Sequence, residues 1–211
     1  MYNPAHFAET DTAEIERLMH DHPLAALVAQ TALGLDANHV PLLRDGEGFV
    51  GHVALANPVH ADIPDDAPVL AIFRAAQAYV SPNWYPSKAE THKAVPTWNY
   101  QVVHVHGTLR WSHAEKDKRR AVSLLTARHE RATNGADAWR MADAPADYMT
   151  SMLAKIVALR IEIGGVIAKA KLSQNRELED FSGVVRALEA RGLNAMSERM
   201  RRIGKGREEQ P

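Results

Sequence analysis

Apolar and polar residues alternate along residues 97–111, and this pattern predicts a half-buried β-strand. Val103, Val105 and Leu109 fall on one face of the strand, while His104, His106 and other polar residues fall on the opposite face. A two-residue period sends alternate side chains to opposite faces, so one face is expected to cover a core.

Six shorter runs predict further strands. Asp45-Gly46 lies between two of these runs and is typical of a tight turn in a β-hairpin. The six predicted strands span residues 24–30, 35–43, 48–55, 68–74, 77–81 and 157–165.

Capping patterns mark the starts of helices between these strands. Asp11 with Glu14, and Ser112 with Glu115, place an acid three residues after an N-cap residue. The predicted helices span residues 11–22, 57–63, 115–133, a segment that begins near Pro145, 177–191 and 194–203. Strands with hairpin turns, surrounded by helices, predict an α+β fold on an antiparallel sheet closed as a barrel.

The composition is that of an ordinary globular chain of 211 residues, which suggests one domain or one domain with an appendage. We expect a domain over 1–170, a helical extension over 171–204 and a disordered tail over 205–211. The net charge of −1 favours neither nucleic acid nor anionic membranes as a partner of the whole chain. The absence of Cys excludes disulfides and thiol chemistry. No apolar signal-peptide core and no run of transmembrane length occurs, so we expect a cytoplasmic protein with no membrane partner.

Two patterns that resemble known sites have plainer explanations. Residues 46–51 (GEGFVG) match G-x-G-x-x-G, but a strand follows them where a dinucleotide-binding motif needs a helix, so a hairpin is favoured. His104 and His106 share one strand face and could hold a metal if a third ligand were present. Histidines bonded to a neighbouring strand are the favoured alternative, so we predict no metal.

The stretch from Ala78 to Gly107 concentrates Trp and Tyr among polar residues. Such a mixture suits a pocket for a planar cofactor, which combines apolar surface with a few placed polar groups. It also suits a well-packed barrel mouth whose aromatic residues are anchored by hydrogen bonds. The residues alone leave both interpretations open.

Four ordered motifs in this chain resemble the PaiB-type family, whose members are described as FMN-binding negative transcriptional regulators. SPNWYPSK (81–88) and VPTWNYQVVHVHG (95–107) carry the family signature, with GHVALANP (51–58) before them and KLSQNR (171–176) after them. The opening MYNPAHF also resembles the usual start of the family. The resemblance extends to about Arg191 and implies a split β-barrel, the fold of pyridoxamine-phosphate oxidases and flavin reductases.

The resemblance further implies a homodimer with FMN at the subunit interface. Hydrogen-bond donors, basic side chains and aromatic walls within the four motifs are the predicted FMN-binding residues, and no catalytic residue is predicted. They are His52, Asn57, Ser81, Trp84, Tyr85, Lys93, Thr97, Trp98, Asn99, Tyr100, Gln174 and Arg176. For KLSQNR, a capped turn between a strand and a helix is an equally supported interpretation.

One departure bears on the cofactor. Leu55 stands where the family pattern usually has a basic residue, and Val59 and His60 stand where an aromatic residue is usual. If the basic residue contacts phosphate, FMN binding is expected to be weak or lost in this chain.

Two functions from different classes remain open. The first is a flavin-binding transcriptional regulator, in which the basic end of the last helix contacts DNA through Arg199, Arg201, Arg202, Lys205 and Arg207. The second is an FMN-dependent oxidoreductase, although no general acid–base pair supports a defined reaction. A helical hairpin with a solvated basic end is the plainer interpretation of the arginines.

Overall fold

The computed structural model describes residues 1–208, with side chains up to Gly204. Within this part of the chain, eight strands form an antiparallel sheet and seven α-helices accompany it. The strands are β1 (Ala8–Glu9), β2 (Leu24–Thr31), β3 (Gly34–Pro41), β4 (Leu43–Asp45), β5 (Gly48–Ala54), β6 (Pro68–Val80), β7 (Thr97–Ser112) and β8 (Ile156–Lys171). The helices are α1 (Thr12–Asp21), α2 (Val59–Asp62), α3 (Lys88–Thr91), α4 (Glu115–Asn134), α5 (Ala146–Leu153), α6 (Leu178–Glu189) and α7 (Asn194–Glu208).

The sheet has the strand order β3-β2-β6-β7-β8-β5-β4, with β1 paired to β8. The predicted hairpin at Asp45-Gly46 is confirmed, because it joins β4 to β5 and Gly46 has a φ of 60°. That left-handed backbone favours Gly, which has no Cβ to clash. The α+β antiparallel fold predicted from the sequence is therefore confirmed.

Several predicted boundaries are wrong. Residues 68–80 form one strand, β6, rather than two, since no Gly or Pro interrupts the chain between Val69 and Val80, and Ser81 lies outside the strand. The last strand continues beyond Gly164 and Gly165 to Lys171, because neither glycine adopts a positive φ.

Two further local predictions are corrected by the structure. The predicted strand 35–43 is divided between β3 and β4. The capping box at the start of α4 does not form, because the Ser112 hydroxyl donates to Asp117 at 2.6 Å rather than pairing with Glu115.

The chain packs as two compact units. The terminal unit contains Met1–Ile15, Arg74–Val102 and the chain from Ile167 onward, and the central unit contains Glu16–Phe73 and Val103–Val166. The boundary predicted after residue 170 stays a prediction. Helical backbone of α7 covers residues 205–208 of the predicted disordered tail, and residues 209–211 lie outside the described part.

Each unit has its own apolar packing. In the central unit, Phe49 and Phe73 are buried with ring centroids 5.1 Å apart. In the terminal unit, one cluster joins the end of β6, the end of β8, α6 and α7. Its buried members are Ala78, Val80, Tyr85, Ala170, Leu172, Phe181, Val184, Val185, Leu188, Met196 and Met200.

Candidate functional site

Ten of the twelve predicted FMN-binding residues belong to the terminal unit, and the other two belong to the central unit. His52 and Asn57 are the two in the central unit. The terminal-unit residues come from the β6–β7 connection, the first half of β7 and the segment that follows β8.

A basic cluster lies beside the first residue of β7. The Lys171 ammonium at the end of β8 hydrogen-bonds the Thr97 hydroxyl. Burial is the main cause that lowers the pKa of Lys171, and the nearby positive charges of Lys169 and Arg176 lower it further, whereas Tyr100 opposes them. Several positive charges and a hydroxyl donor therefore meet at one end of the sheet.

Lys169, two residues earlier on β8, is buried among aromatic rings. Its ammonium lies 5.4 Å from the ring centroid of Tyr2, 5.9 Å from that of Phe7 and 5.6 Å from that of Tyr100. It donates to the Tyr2 carbonyl oxygen at 2.9 Å. Among the described residues, neither Lys169 nor Lys171 forms an ion pair with a carboxylate.

Successive side chains of β7 point in alternating directions, as the strand period requires. Trp98 is 53% exposed and meets Tyr79 of β6 edge-to-face, with ring centroids 6.1 Å apart. Asn99 is fully buried, and its Nδ2 donates to the Ser173 hydroxyl at 3.0 Å. The exposed aromatic wall of this strand is thus formed by Trp98, while Asn99 has a protein partner.

The β6–β7 connection carries four more of the predicted residues. The Ser81 hydroxyl accepts from the Asn83 backbone at 3.2 Å, and Lys93 is exposed. The Arg191 guanidinium lies 4.6 Å from the ring centroid of Trp84. An open depression of about 540 Å³ is lined by Asn83, Trp84, Tyr85, Pro86, Lys88, Ala89 and His92.

Tyr85 in this connection is an interior residue. Its side chain is 3% exposed and belongs to the apolar cluster of the terminal unit. Burial is the main cause that raises the pKa of the Tyr85 phenol, and Arg176, whose guanidinium lies 4.7 Å from the ring centroid, opposes it. The buried Tyr85 side chain therefore fixes the β6–β7 connection to the apolar cluster of the terminal unit, and it does not form an exposed wall of a pocket.

The KLSQNR segment forms a capped turn after β8. The Gln174 side chain accepts from the Leu172 backbone at 2.7 Å and donates to the Ala170 carbonyl oxygen at 2.5 Å. Ser173 has a φ of 64°, an uncommon conformation for a residue with a Cβ. The turn therefore has well-defined internal bonds, and contact of Gln174 and Arg176 with a ligand stays a prediction.

In the central unit, His52 and Asn57 lie on β5 and on the turn before α2. Nδ1 of His52 is buried and has no hydrogen-bond partner among the described residues, and burial lowers the pKa of His52. Asn57 donates to the Asn38 side chain at 3.0 Å and accepts from the Val59 backbone at 3.0 Å. Leu55 is 44% exposed, so a longer basic side chain has room at this position.

The basic end of α7 is engaged in ion pairs. Arg199 lies 2.6 Å from Glu9 and 2.9 Å from Glu14, and all three side chains are mostly buried. Arg201 pairs with Glu189 of α6, whereas Arg202 is exposed. Lys205 and Arg207 lie beyond the residues whose side chains are described.

No group of three His, Cys, Asp or Glu side chains suited to a metal occurs in residues 1–204. Burial lowers the pKa of His104, one of the two strand histidines considered for a metal. None of the described helices is long and apolar enough to cross a membrane.

Sequence reasoning missed three residues that shape the terminal unit. Lys169 was detectable, because it shares a strand face with Lys171. Asp180 and Gly183 of α6 carried no such signal, since their partners Ser87 and Trp84 are more than ninety residues away in the chain.

The fold is a split β-barrel of the kind found in flavoproteins. It is similar to an FAD- and haem-binding protein from Mycobacterium smegmatis, with a TM-score of 0.61 and 19% identity over 83% of this chain and 78% of that one. It is also similar to the flavocytochrome Anf3 from Azotobacter vinelandii, with a TM-score of 0.59 and 11% identity over 83% of this chain and 75% of that one.

The chain belongs to the family described as "Putative FMN-binding domain", whose model matches residues 1–164. It is 29% identical to "Protease synthase and sporulation protein PAI 2" of Bacillus subtilis over 194 residues, which cover 90% of this chain and 89% of the relative. The resemblance to the PaiB-type family is confirmed.

Proposed function

We propose that this PaiB-like protein binds FMN and places the phosphate at the Lys171–Thr97 pair. The observation that carries the proposal is the hydrogen bond between the partly buried Lys171 and Thr97, next to the buried Lys169, with no ion-paired carboxylate on either lysine among the described residues. Ammonium and hydroxyl donors suit a phosphate, because charge-assisted hydrogen bonds are the strong ones. The donor set therefore fits the charged end of FMN.

Aromatic surface for the flat end of the ligand begins at the next residue of β7, on the face opposite Thr97, so FMN would have to pass the start of the strand to reach both. Trp98 and Tyr79 offer half-exposed rings at the start of β7 and on β6. Pockets for planar ligands combine such surfaces with a few polar groups. When bound, FMN would supply redox chemistry that no side chain provides, while the protein binds and orients it.

Lys171 also changes what is expected from Leu55, which stands where the resemblance implies a basic residue. A leucine cannot contact phosphate by charge, but Lys171 and Lys169 supply positive charge within the terminal unit. We therefore propose that FMN binding is retained, at an affinity that Leu55 leaves below its maximum.

Binding measured with two flavins tests the phosphate assignment. Titration of FMN and of riboflavin, which lacks the phosphate, should show that Lys171→Met weakens FMN at least about tenfold and leaves riboflavin unchanged. Lys116→Met removes an exposed lysine of the central unit and serves as the charge control. No FMN binding by the wild type, or equal losses for both flavins, would contradict the proposal.

We propose a regulatory role for the flavin-bound protein, supported by its similarity to the sporulation protein of B. subtilis. The ion pairs of Arg199 and Arg201 do not favour DNA contact through these two side chains. A gel-shift assay on its own promoter at low salt tests DNA binding, which should fall steeply with added salt. Bleaching of bound flavin by NADH without DNA binding would favour the oxidoreductase instead.

A homodimer in the cytoplasm is part of the same proposal. Tyr79 and Trp98 form an edge-to-face pair on neighbouring strands and are each about half exposed, which is typical of surface that a partner subunit covers. The absence of Cys is compatible with a reducing compartment. Sedimentation equilibrium that shows only the 23.3 kDa species at micromolar concentration would contradict the dimer.

A further inference from the structure

The segment that carries Trp84 and Tyr85 is attached to α6 through a buried carboxylate. Asp180, which is 7% exposed, accepts two hydrogen bonds from one residue of the segment. The Ser87 backbone N–H donates to Oδ1 at 3.1 Å, and the Ser87 hydroxyl donates to Oδ2 at 2.8 Å. Two bonds from one residue fix both the position and the direction of the backbone at Ser87.

A glycine on the same helix permits close contact with this segment. A Cβ on Gly183 would lie 2.2 Å from the Trp84 carbonyl oxygen and 2.8 Å from Cδ of Pro86. Real Cβ atoms do not approach a backbone oxygen this closely, so any larger residue would push the segment away from α6. Gly183 is therefore required by the approach of the backbone rather than by its own φ.

Two guanidinium groups from the flanks of α6 orient the aromatic rings. Arg176 precedes the helix and lies over Tyr85, and Arg191 follows the helix and lies over Trp84. Cation–π contacts of this length restrict the tilt of each ring. The backbone and both rings of the segment thus have partners on α6 or beside it.

All of these partners lie beyond residue 164, where the match to the FMN-binding family ends. We propose that α6 is a positioning element, in which Asp180 and Gly183 hold the Trp84–Ser87 segment, with its predicted FMN-binding residue Trp84, in place without touching the ligand. The consequence for flavin affinity rests on the proposed FMN site. The attachment of the segment to α6 does not.

Limited trypsin digestion of the full-length protein tests the attachment without flavin. Lys88 and Lys93 follow the segment directly and offer cleavage sites for trypsin, and mass spectrometry identifies cleavage after each. Asp180→Ala should raise the initial rate of cleavage there at least about tenfold, since local opening governs proteolysis of a folded chain. Glu179→Ala, on the exposed side of the same helix turn, is the matched control and should leave the rate unchanged.

Two milder variants cover the case in which Asp180→Ala fails to fold. Ser87→Ala removes one of the two hydrogen bonds from the other side, and Asp180→Asn keeps the shape but loses the charge. Both should give intermediate cleavage rates. Rates equal to that of Glu179→Ala in every folded variant would overturn the attachment.

FMN titration of the same variants tests the link to the ligand. Affinity should fall in the order in which cleavage rises, with Glu179→Ala equal to wild type. A loosened segment with unchanged FMN affinity would overturn the positioning role. If wild type binds no FMN, the proposed function fails, and the digestion still decides whether α6 holds the segment.

Discussion

Asn99 of β7 and Ser173 of the turn after β8 hydrogen-bond each other inside the terminal unit. Nδ2 of Asn99 lies 3.0 Å from the Ser173 hydroxyl, and both residues are buried. Asn99 also lies 3.8 Å from the sulfur of Met200 on α7. The residue expected from the sequence to donate to a ligand thus joins the site strand to the turn and to the last helix.

Asn99→Ala should lower the free energy of unfolding by about 1–3 kcal/mol, because it leaves a buried hydroxyl on Ser173 without its partner. The double variant Asn99→Ala/Ser173→Ala should lose less than the sum of the two single variants. Urea unfolding of all four proteins measures this. Strict additivity would contradict a direct interaction between the two side chains.

Arg199→Met should destabilise the protein by about 3–5 kcal/mol, because it leaves Glu9 and Glu14 buried without their charge partner. Arg202→Met, on the same helix but exposed, is the matched control and should change stability by less than about 0.5 kcal/mol. Thermal unfolding compares the two variants. Equal stabilities would show that Arg199 is not held as the structure places it.

Local patterns predicted most of the fold because each needs only neighbouring residues. The alternation around Val103 and Val105 predicted the strand β7, and Asp45-Gly46 predicted the turn of a hairpin. The C-terminal end of β8 was missed because Gly164 and Gly165 resemble a terminator, although neither adopts a positive φ.

The contacts of the candidate site depend on residues far apart in the chain. Thr97 meets Lys171 across 74 positions, and Ser87 meets Asp180 across 93. No local periodicity carries such pairings, because the register of β7 against β8 and the packing of α6 decide them. The sequence therefore predicted the polar and aromatic character of the site, and the structure supplies its partners.

Asp45 should make the stability of the protein depend on pH. Hydrogen bonds from Arg120 are the main cause that lowers the pKa of Asp45, burial opposes them, and the charges of Arg120 and Arg160 lower it further. Because the pKa of Asp45 is lower in the folded than in the unfolded protein, its ionised form stabilises the fold. This stability is fully present above the unfolded pKa of about 3.9 and is lost as the pH falls through the folded pKa.

Melting temperatures at pH 7 and below pH 4 test this linkage. Asp45→Asn should have a lower melting temperature than wild type at pH 7, and the difference between the two melting temperatures should narrow as the pH falls. Asp137→Asn changes an exposed aspartate that forms no ion pair among the described residues, and it should show no such narrowing. If the difference in melting temperature between Asp45→Asn and wild type stays constant with pH, the lost stability comes from the changed side-chain contacts rather than from the lost charge of Asp45.

Leu55→Arg should strengthen FMN binding if a basic side chain at this half-exposed position contacts phosphate, as the resemblance to the family implies. The Leu55 N–H bonds to Lys155 before the start of β8, whereas Lys171 ends that strand, so the arginine and Lys171 would meet one phosphate only when they come from different subunits of the proposed homodimer. One added charge-assisted hydrogen bond to phosphate corresponds to about tenfold in affinity. Riboflavin should gain nothing, and Leu55→Gln, which adds polarity without charge, should leave FMN affinity near that of wild type. The gain in FMN affinity should shrink with added salt, as expected for an exposed charge.

If wild type fails to bind FMN and Leu55→Arg binds it, the chain has kept the fold and lost its flavin through this one position. If Leu55→Arg improves both flavins equally, the arginine contacts something other than phosphate.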